Sequence, residues 1–198
     1  QATRAETRTR PAAEGSVVDR AMELISGAER PLIFAGGGAF FSGAAPELER
    51  FVDTTNIPFY TAPMSRGLIP EDHPVSFPAA RSTAMREADV VLVVGTRLNW
   101  MMNYGKRFNP SARIIQIDID ESELGHNQNI ELGIFGDAKA VMAQLNEAAD
   151  GSRPDFAGAL ESPWVVNLRQ ADQERLARSA PILNSDQTPI HPLRLCKE

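Results

Sequence analysis

Two apolar runs joined by a short loop constrain this chain more than anything else in it. Residues 88–100 read ADVVLVVGTRLNW and residues 112–120 read ARIIQIDID. Neither run alternates polar with apolar residues, and each stops abruptly at Gly, Arg or Asp. A half-exposed strand alternates, so unbroken runs of this length fit strands buried on both faces, as in a parallel sheet covered by helices. In such sheets ligands sit beyond the carboxyl ends of the strands. Gly95, Thr96, Arg97, Asp118 and Asp120 would fall at that edge.

The surrounding pattern extends the sheet. A helix is expected over 16–28, with Ser16 as its cap and Val17, Val18, Ala21, Leu24 and Ile25 on one face. A strand over 31–35 stops in Gly36-Gly37-Gly38, and a helix over 44–55 leads to a strand over 57–61. The segment 62–78 is dense in Pro and Gly and reads as irregular. A short helix over 79–87 precedes the two strong strands, near 90–95 and 113–118. A helical turn over 121–124, a strand over 130–135 and a helix from Asp137 to about 149 complete the unit. Strand and helix alternate from 16 to 149, which predicts an α/β fold of the Rossmann-like, doubly wound kind. Its mainly parallel sheet would hold five or six strands, with helices on both faces and right-handed crossovers. Residues 1–15 and 151–162 read as linkers, 163–179 as a helix, and the proline-bearing tail as a connection into a further domain. The chain starts without Met and reads as a piece of a longer one.

Composition excludes several roles. A net charge of -6 gives no basic field for nucleic acid or an anionic membrane. No run approaches the roughly 18 apolar residues of a membrane span. The N-terminus carries Arg without an apolar stretch, unlike a secretory signal. The single Cys196 permits no internal disulfide, and His73, His126 and His191 lack metal-ligand spacing. No nucleophile–base pair stands out, so no catalytic residue is assigned, and a cytoplasmic setting is expected.

The candidate binding residues lie at the strand ends. Gly36-Gly37-Gly38 follows a strand and precedes a helix, where backbone N–H groups can hold a phosphate. The other reading is a tight turn that simply needs glycine. Phe41 occupies the third position of the dinucleotide fingerprint, and the second strand ends at Tyr60-Thr61 without the ribose-binding acid, so an NAD site is disfavoured. Arg97 can make a two-pronged phosphate contact or a salt bridge to an acid such as Asp118. The Asp118 carboxylate can accept from ribose hydroxyls, whereas Asp120 is placed to cap the turn after it. Asp137 suits a helix N-cap, worth about 1 kcal/mol. Met64, Ser65, Arg66 and Gly67 form a loop at the same edge.

Read together, residues 30–74, AARSTAMREADVVLVVGTRLNW, IIQIDIDESELGHN and FGD resemble the central domain of thiamine-diphosphate-dependent enzymes, the group of acetolactate synthase, oxalyl-CoA decarboxylase and 2-hydroxyacyl-CoA lyase. Ala79-Ala80-Arg81-Ser82, Arg97-Leu98-Asn99-Trp100 and Glu123-Leu124-Gly125 look most like the CoA-thioester branch. The resemblance implies a parent lyase, decarboxylase or transferase, dimeric or tetrameric, in which absent N- and C-terminal domains hold thiamine diphosphate and Mg²⁺. The chain has no Gly-Asp-Gly motif. The resemblance further implies a non-catalytic domain holding ADP, CoA or FAD, with Gly36, Gly38, Met64, Arg97, Asp118, Ile119 and Asp137 at the ligand. It departs from the branch at Gly37, where lysine is usual, and at Ser65, where glycine is usual. Three alternatives stand beside the CoA reading: an FAD-bearing acetolactate synthase domain, a scaffold without ligand, and a sirtuin-type deacylase, whose zinc cysteines are missing.

Overall fold

The computed structural model describes residues 9–152 and 159–197. The expected linkers 1–15 and 151–162 lie partly outside these residues. Five strands form one parallel sheet: β1 (Pro31–Ala35), β2 (Phe59–Thr61), β3 (Val90–Val94), β4 (Arg113–Asp118) and β5 (Leu132–Phe135). Their order is β2-β1-β3-β4-β5. All five residues of β3 are buried, because β1 and β4 flank it and helices cover both faces. This is the doubly wound, all-parallel arrangement that the unbroken apolar runs predict.

The helices are α1 (Gly15–Ser26), α2 (Gly37–Ser42), α3 (Ala45–Thr55), α4 (Arg81–Glu87), α5 (Ala138–Ser152), α6 (Pro163–Leu183) and α7 (Pro192–Lys197). Helices α1 and α3 both pack on α5, and α4 packs with α6. Leu48, Phe51 and Val52 recur at helical spacing on α3 and are fully buried. Pro46 sits in its first turn, where a missing N–H costs nothing, and Asn56 closes it in the left-handed conformation at φ 52°.

Several local expectations need adjustment. Ser16 lies inside α1, whose N-cap is Glu14 without a side-chain bond. Where the sequence suggests a glycine turn before a helix at 44, a short helix α2 of 6 residues intervenes and closes on Gly43 at φ 70°. The segment 62–78 contains 3-10 turns at Pro63–Ser65 and Pro78–Ala80. The first half of α6 packs on the Pro78–Ala80 turn and α4: Trp164, Val165 and Leu168 are buried, and the indole N–H of Trp164 donates to Pro31 O at 3.0 Å. Asp172 on the same helix is buried and accepts from the N–H groups of Ala79 and Ala80 at 2.7 and 3.2 Å. It thereby anchors the start of α4. At the other end, the N–H and C=O of Ala13 both bond the Gln144 amide at 2.9 Å, which docks the segment before α1 on α5. No described helix is long and apolar enough to cross a membrane.

Candidate functional site at the carboxyl edge

Strand order fixes where a ligand could enter. From β1 the chain moves outward to β2, then returns to the opposite side of β1 as β3. The connections diverge there, and in sheets of this kind that is where a binding crevice forms, here between the carboxyl ends of β1 and β3. Backbone bonds lace the rim beyond the strands themselves. Gly36 N–H donates to Val94 O at 2.8 Å, Gly38 N–H to Gly95 O at 2.9 Å, Gly95 N–H to Ile117 O at 2.8 Å and Gly136 N–H to Asp118 O at 2.9 Å.

Three glycines let the turn after β1 cross the end of β3. A methyl at Gly36 would meet Thr96 Oγ1 at 2.0 Å, and one at Gly38 would meet Gly95 Cα at 2.8 Å. Gly95 itself has φ +59°, and its added methyl would meet Ala39 N at 2.6 Å. The N–H groups of Gly36 and Gly38 are spent on β3, so these residues offer the crevice room, not phosphate donors. The hydroxyl of Thr96 is buried beside them and has no hydrogen-bond partner among the described residues. It is packed against Gly36, where an added methyl would collide with it.

Met64 borders this point. It is 56% exposed, and a methyl on Gly37 would lie 3.4 Å from its Cβ. Ser65, next to it, is fully buried and donates to Ala35 O at 2.7 Å and Ala62 O at 2.9 Å. Its side chain therefore ties the 3-10 turn to β1 and stays out of the crevice. Arg66 pairs with Glu71 at 2.6 Å on the surface.

On the β3 and β4 side, Arg97 reaches Glu123 at 3.2 Å and Asp120 at 3.9 Å, so its acid partners are these and not the expected Asp118. The Arg97 side chain is 62% exposed, and an exposed pair of this kind is worth only about 0–1 kcal/mol. The pair therefore holds Arg97 only weakly. Asp118 is buried and accepts the Asp120 N–H at 3.0 Å. Burial pushes its carboxyl above the usual range, and the nearby Glu123 adds to this; the N–H groups of Asp120 and Ile119 and the charge of Arg97 only partly oppose it. Asp120 accepts from the N–H of Ser122 at 3.1 Å, which caps the 3-10 turn Glu121–Glu123 as its position predicts.

The sign of the Asp118 shift gives a prediction. A carboxyl with a raised folded pKa binds more protons folded than unfolded. Its contribution to stability is therefore lost as pH rises from the ordinary value near 3.9 through the raised one. The Asp118→Asn protein should lack this decline. Urea unfolding measured at pH 4, 5, 6 and 7 checks it: wild type should lose stability relative to the variant with rising pH, and parallel curves would show that Asp118 is not desolvated.

Asp137 stands two strands away from the crevice. Its carboxylate accepts from the Ala140 N–H at 3.2 Å, capping α5, and from Arg10 Nη1 at 2.7 Å. Arg10 also donates to Ser42 O at 2.8 Å, joining the end of α2 to this corner. Sequence reading missed Arg10, since nothing local links positions 10, 42 and 137. Three apolar side chains are also exposed after the strands, and of them the sequence reading placed only Ile119 at the ligand. Phe41, Trp100 and Ile119 are 75%, 72% and 54% exposed on segments that follow β1, β3 and β4. Exposed apolar groups gathered at one edge mark a contact surface. Their apolar character was legible in sequence, but their exposure was not.

A five-strand parallel sheet with a glycine crossing at its switch point defines a domain of the doubly wound, Rossmann-like α/β class. The chain belongs to the family described as the central domain of thiamine pyrophosphate enzymes, whose model matches residues 18–145. It is similar to the 2-hydroxyacyl-CoA lyase of Oryza sativa subsp. japonica, with 36% identity over 186 residues, covering 91% of this chain and 32% of that protein. It is also similar to the oxalyl-CoA decarboxylase of Escherichia coli (strain K12), with 34% identity covering 88% and 30%. A third relative, named "Probable acetolactate synthase large subunit", of Methanococcus aeolicus, is 33% identical, covering 91% and 32%. The chain thus spans about a third of the length of the curated relatives it matches.

Thiamine diphosphate with Mg²⁺ does not fit the residues present. Among the described residues no three His, Cys, Asp or Glu converge to hold a metal, and Asp137 of the Gly-Asp-Ala sequence is engaged by Arg10 and α5. The carboxyl edge carries instead a guanidinium in a weak surface pair and a desolvated carboxyl.

Proposed function

We propose that the chain is the non-catalytic central domain of a thiamine-diphosphate-dependent carbon–carbon lyase or decarboxylase acting on 2-hydroxyacyl-CoA or oxalyl-CoA-like substrates, and that its carboxyl edge holds an adenine nucleotide, ADP or that of CoA. The observation that carries this is the placement of Arg97 and Asp118 at the carboxyl ends of the adjacent strands β3 and β4: a cation in a weak surface pair and a carboxylate suited to a ribose. Arg97 would meet phosphate, Asp118 the ribose, and Met64 and Ile119 the apolar faces of the ligand. Gly36 and Gly38 would let it approach, and Asp137 would shape the far corner. Thiamine diphosphate and Mg²⁺ would be held by N- and C-terminal domains of the parent, a cytoplasmic homodimer or homotetramer. The cofactor supplies the carbanion chemistry, and this domain contributes binding and position.

Calorimetric titration of the full-length protein carrying this chain with ADP, CoA and FAD tests the reading. ADP or CoA should bind, and Arg97→Ala should weaken binding by about 1.5–3 kcal/mol, roughly 10- to 150-fold, if a charged hydrogen bond is lost. Tight FAD binding without ADP binding would favour the acetolactate synthase reading, which the Methanococcus aeolicus relative supports. Binding of none of the three would leave a scaffold.

A further inference from the structure

A second charged feature lies away from the crevice: an open-sided hollow of about 480 Å³ between α4 and the 106–110 segment. Arg81 and Arg86 reach it from α4, and Lys106 and Arg107 from the facing segment; no Asp or Glu lines it. Buried Met85 and Phe108 form its apolar part. The chain carries 26 acids against 20 Lys and Arg. Arg10, Arg20, Arg30, Arg50, Arg66 and Arg97 each pair with one. None of the four cations at the hollow does so among the described residues.

Arg81 shows the tension directly. It is half-buried, with its guanidinium 5.1 Å from the centroid of the Phe34 ring. Burial lowers its proton affinity, and the charge of Arg107 lowers it further. A protein surface ordinarily disperses like charges or intersperses acids among them. Four cations around one concavity instead create a positive field focused by its low-dielectric walls. The guanidinium groups match the geometry of phosphate oxygens.

We propose that this hollow is an anion site for a phosphate group, free or as the terminal ester of a small organic phosphate, and that it is separate from the carboxyl-edge crevice. The volume falls within the range of about 300–1,000 Å³ typical of small-molecule sites, and exceeds what a bare phosphate fills. Met85 and Phe108 give the organic part of an ester an apolar surface. The site stands independently of the nucleotide reading, because it shares none of Thr96, Arg97 and Asp118.

The test is calorimetry on the full-length protein carrying this chain, with inorganic phosphate and phenyl phosphate as probes at low and moderate salt. Arg86 and Arg107 are exposed, so the Arg86→Glu, Arg107→Glu double variant should keep the wild-type unfolding midpoint. It should bind either probe at least tenfold more weakly, with a flatter salt dependence. Arg97→Ala should leave probe binding unchanged, which keeps failure at the crevice distinct from failure here. Tighter phenyl phosphate assigns the ligand to organic esters, and equal affinities assign it to the free ion. No binding of either probe at millimolar concentration, or a double variant within twofold of wild type, would overturn the proposal.

Discussion

Gly95→Ala should destabilise this domain by about 2–5 kcal/mol, from two costs that add. The first is conformational: Gly95 has φ +59°, and a side chain there costs roughly 1–2 kcal/mol. The second is contact. The new methyl would lie 2.6 Å from Ala39 N, 2.7 Å from Gly38 Cα and 2.8 Å from Gly38 C, all backbone, so no side chain can turn aside. Overpacking of this kind costs typically 1–3 kcal/mol. Gly43→Ala isolates the first cost, since Gly43 has φ +70° with nothing within 4 Å. Urea unfolding should place Gly95→Ala well below Gly43→Ala. Equal midpoints would mean that the turn after β1 does not cross closely over the end of β3, and the crevice would then lack its floor.

Trp164→Ala should cost about 3–5 kcal/mol, the usual range for removing a large buried aromatic side chain. The indole is 4% exposed and its N–H reaches Pro31 O at the amino end of β1. Trp164→Phe keeps most of the volume and loses chiefly the hydrogen bond, so it should cost only about 0.5–1.5 kcal/mol. Leu176 lies further along α6 and is 53% exposed; its alanine variant should stay within about 0.5 kcal/mol of wild type. The expected pattern is steep at the start of α6 and flat towards its end. A flat result throughout would make α6 a connector that merely rests on its neighbours.

What could be read from the sequence follows the range of the interactions involved. Val90 to Val94 and Ile114 to Ile117 announced buried parallel strands because burial on both faces removes alternation, and this is a property of the strand alone. The ends of those strands placed Arg97 and Asp118 at one edge for the same reason. Helix α2 escaped because Gly37 and Gly38 are poor helix formers; contacts with the Pro63–Ser65 turn and α5 hold it instead. The spent N–H groups of Gly36 and Gly38 depend on carbonyls of β3 nearly sixty residues away. The Arg10–Asp137 pair spans a still longer interval. The helical period of 163–179 was visible in sequence, but a period says which residues share a face and not what that face meets. The buried Asp172, holding Ala79 and Ala80, is the clearest case of a contact that no local pattern announces.

A crystal structure of the full-length protein carrying this chain, grown with ADP, would test the central claim most directly. Phosphate density against Arg97 with the ribose on Asp118, above Gly36 and Gly38, is the result expected. ADP seated elsewhere while this edge stays closed by the Arg97–Glu123 pair would contradict it.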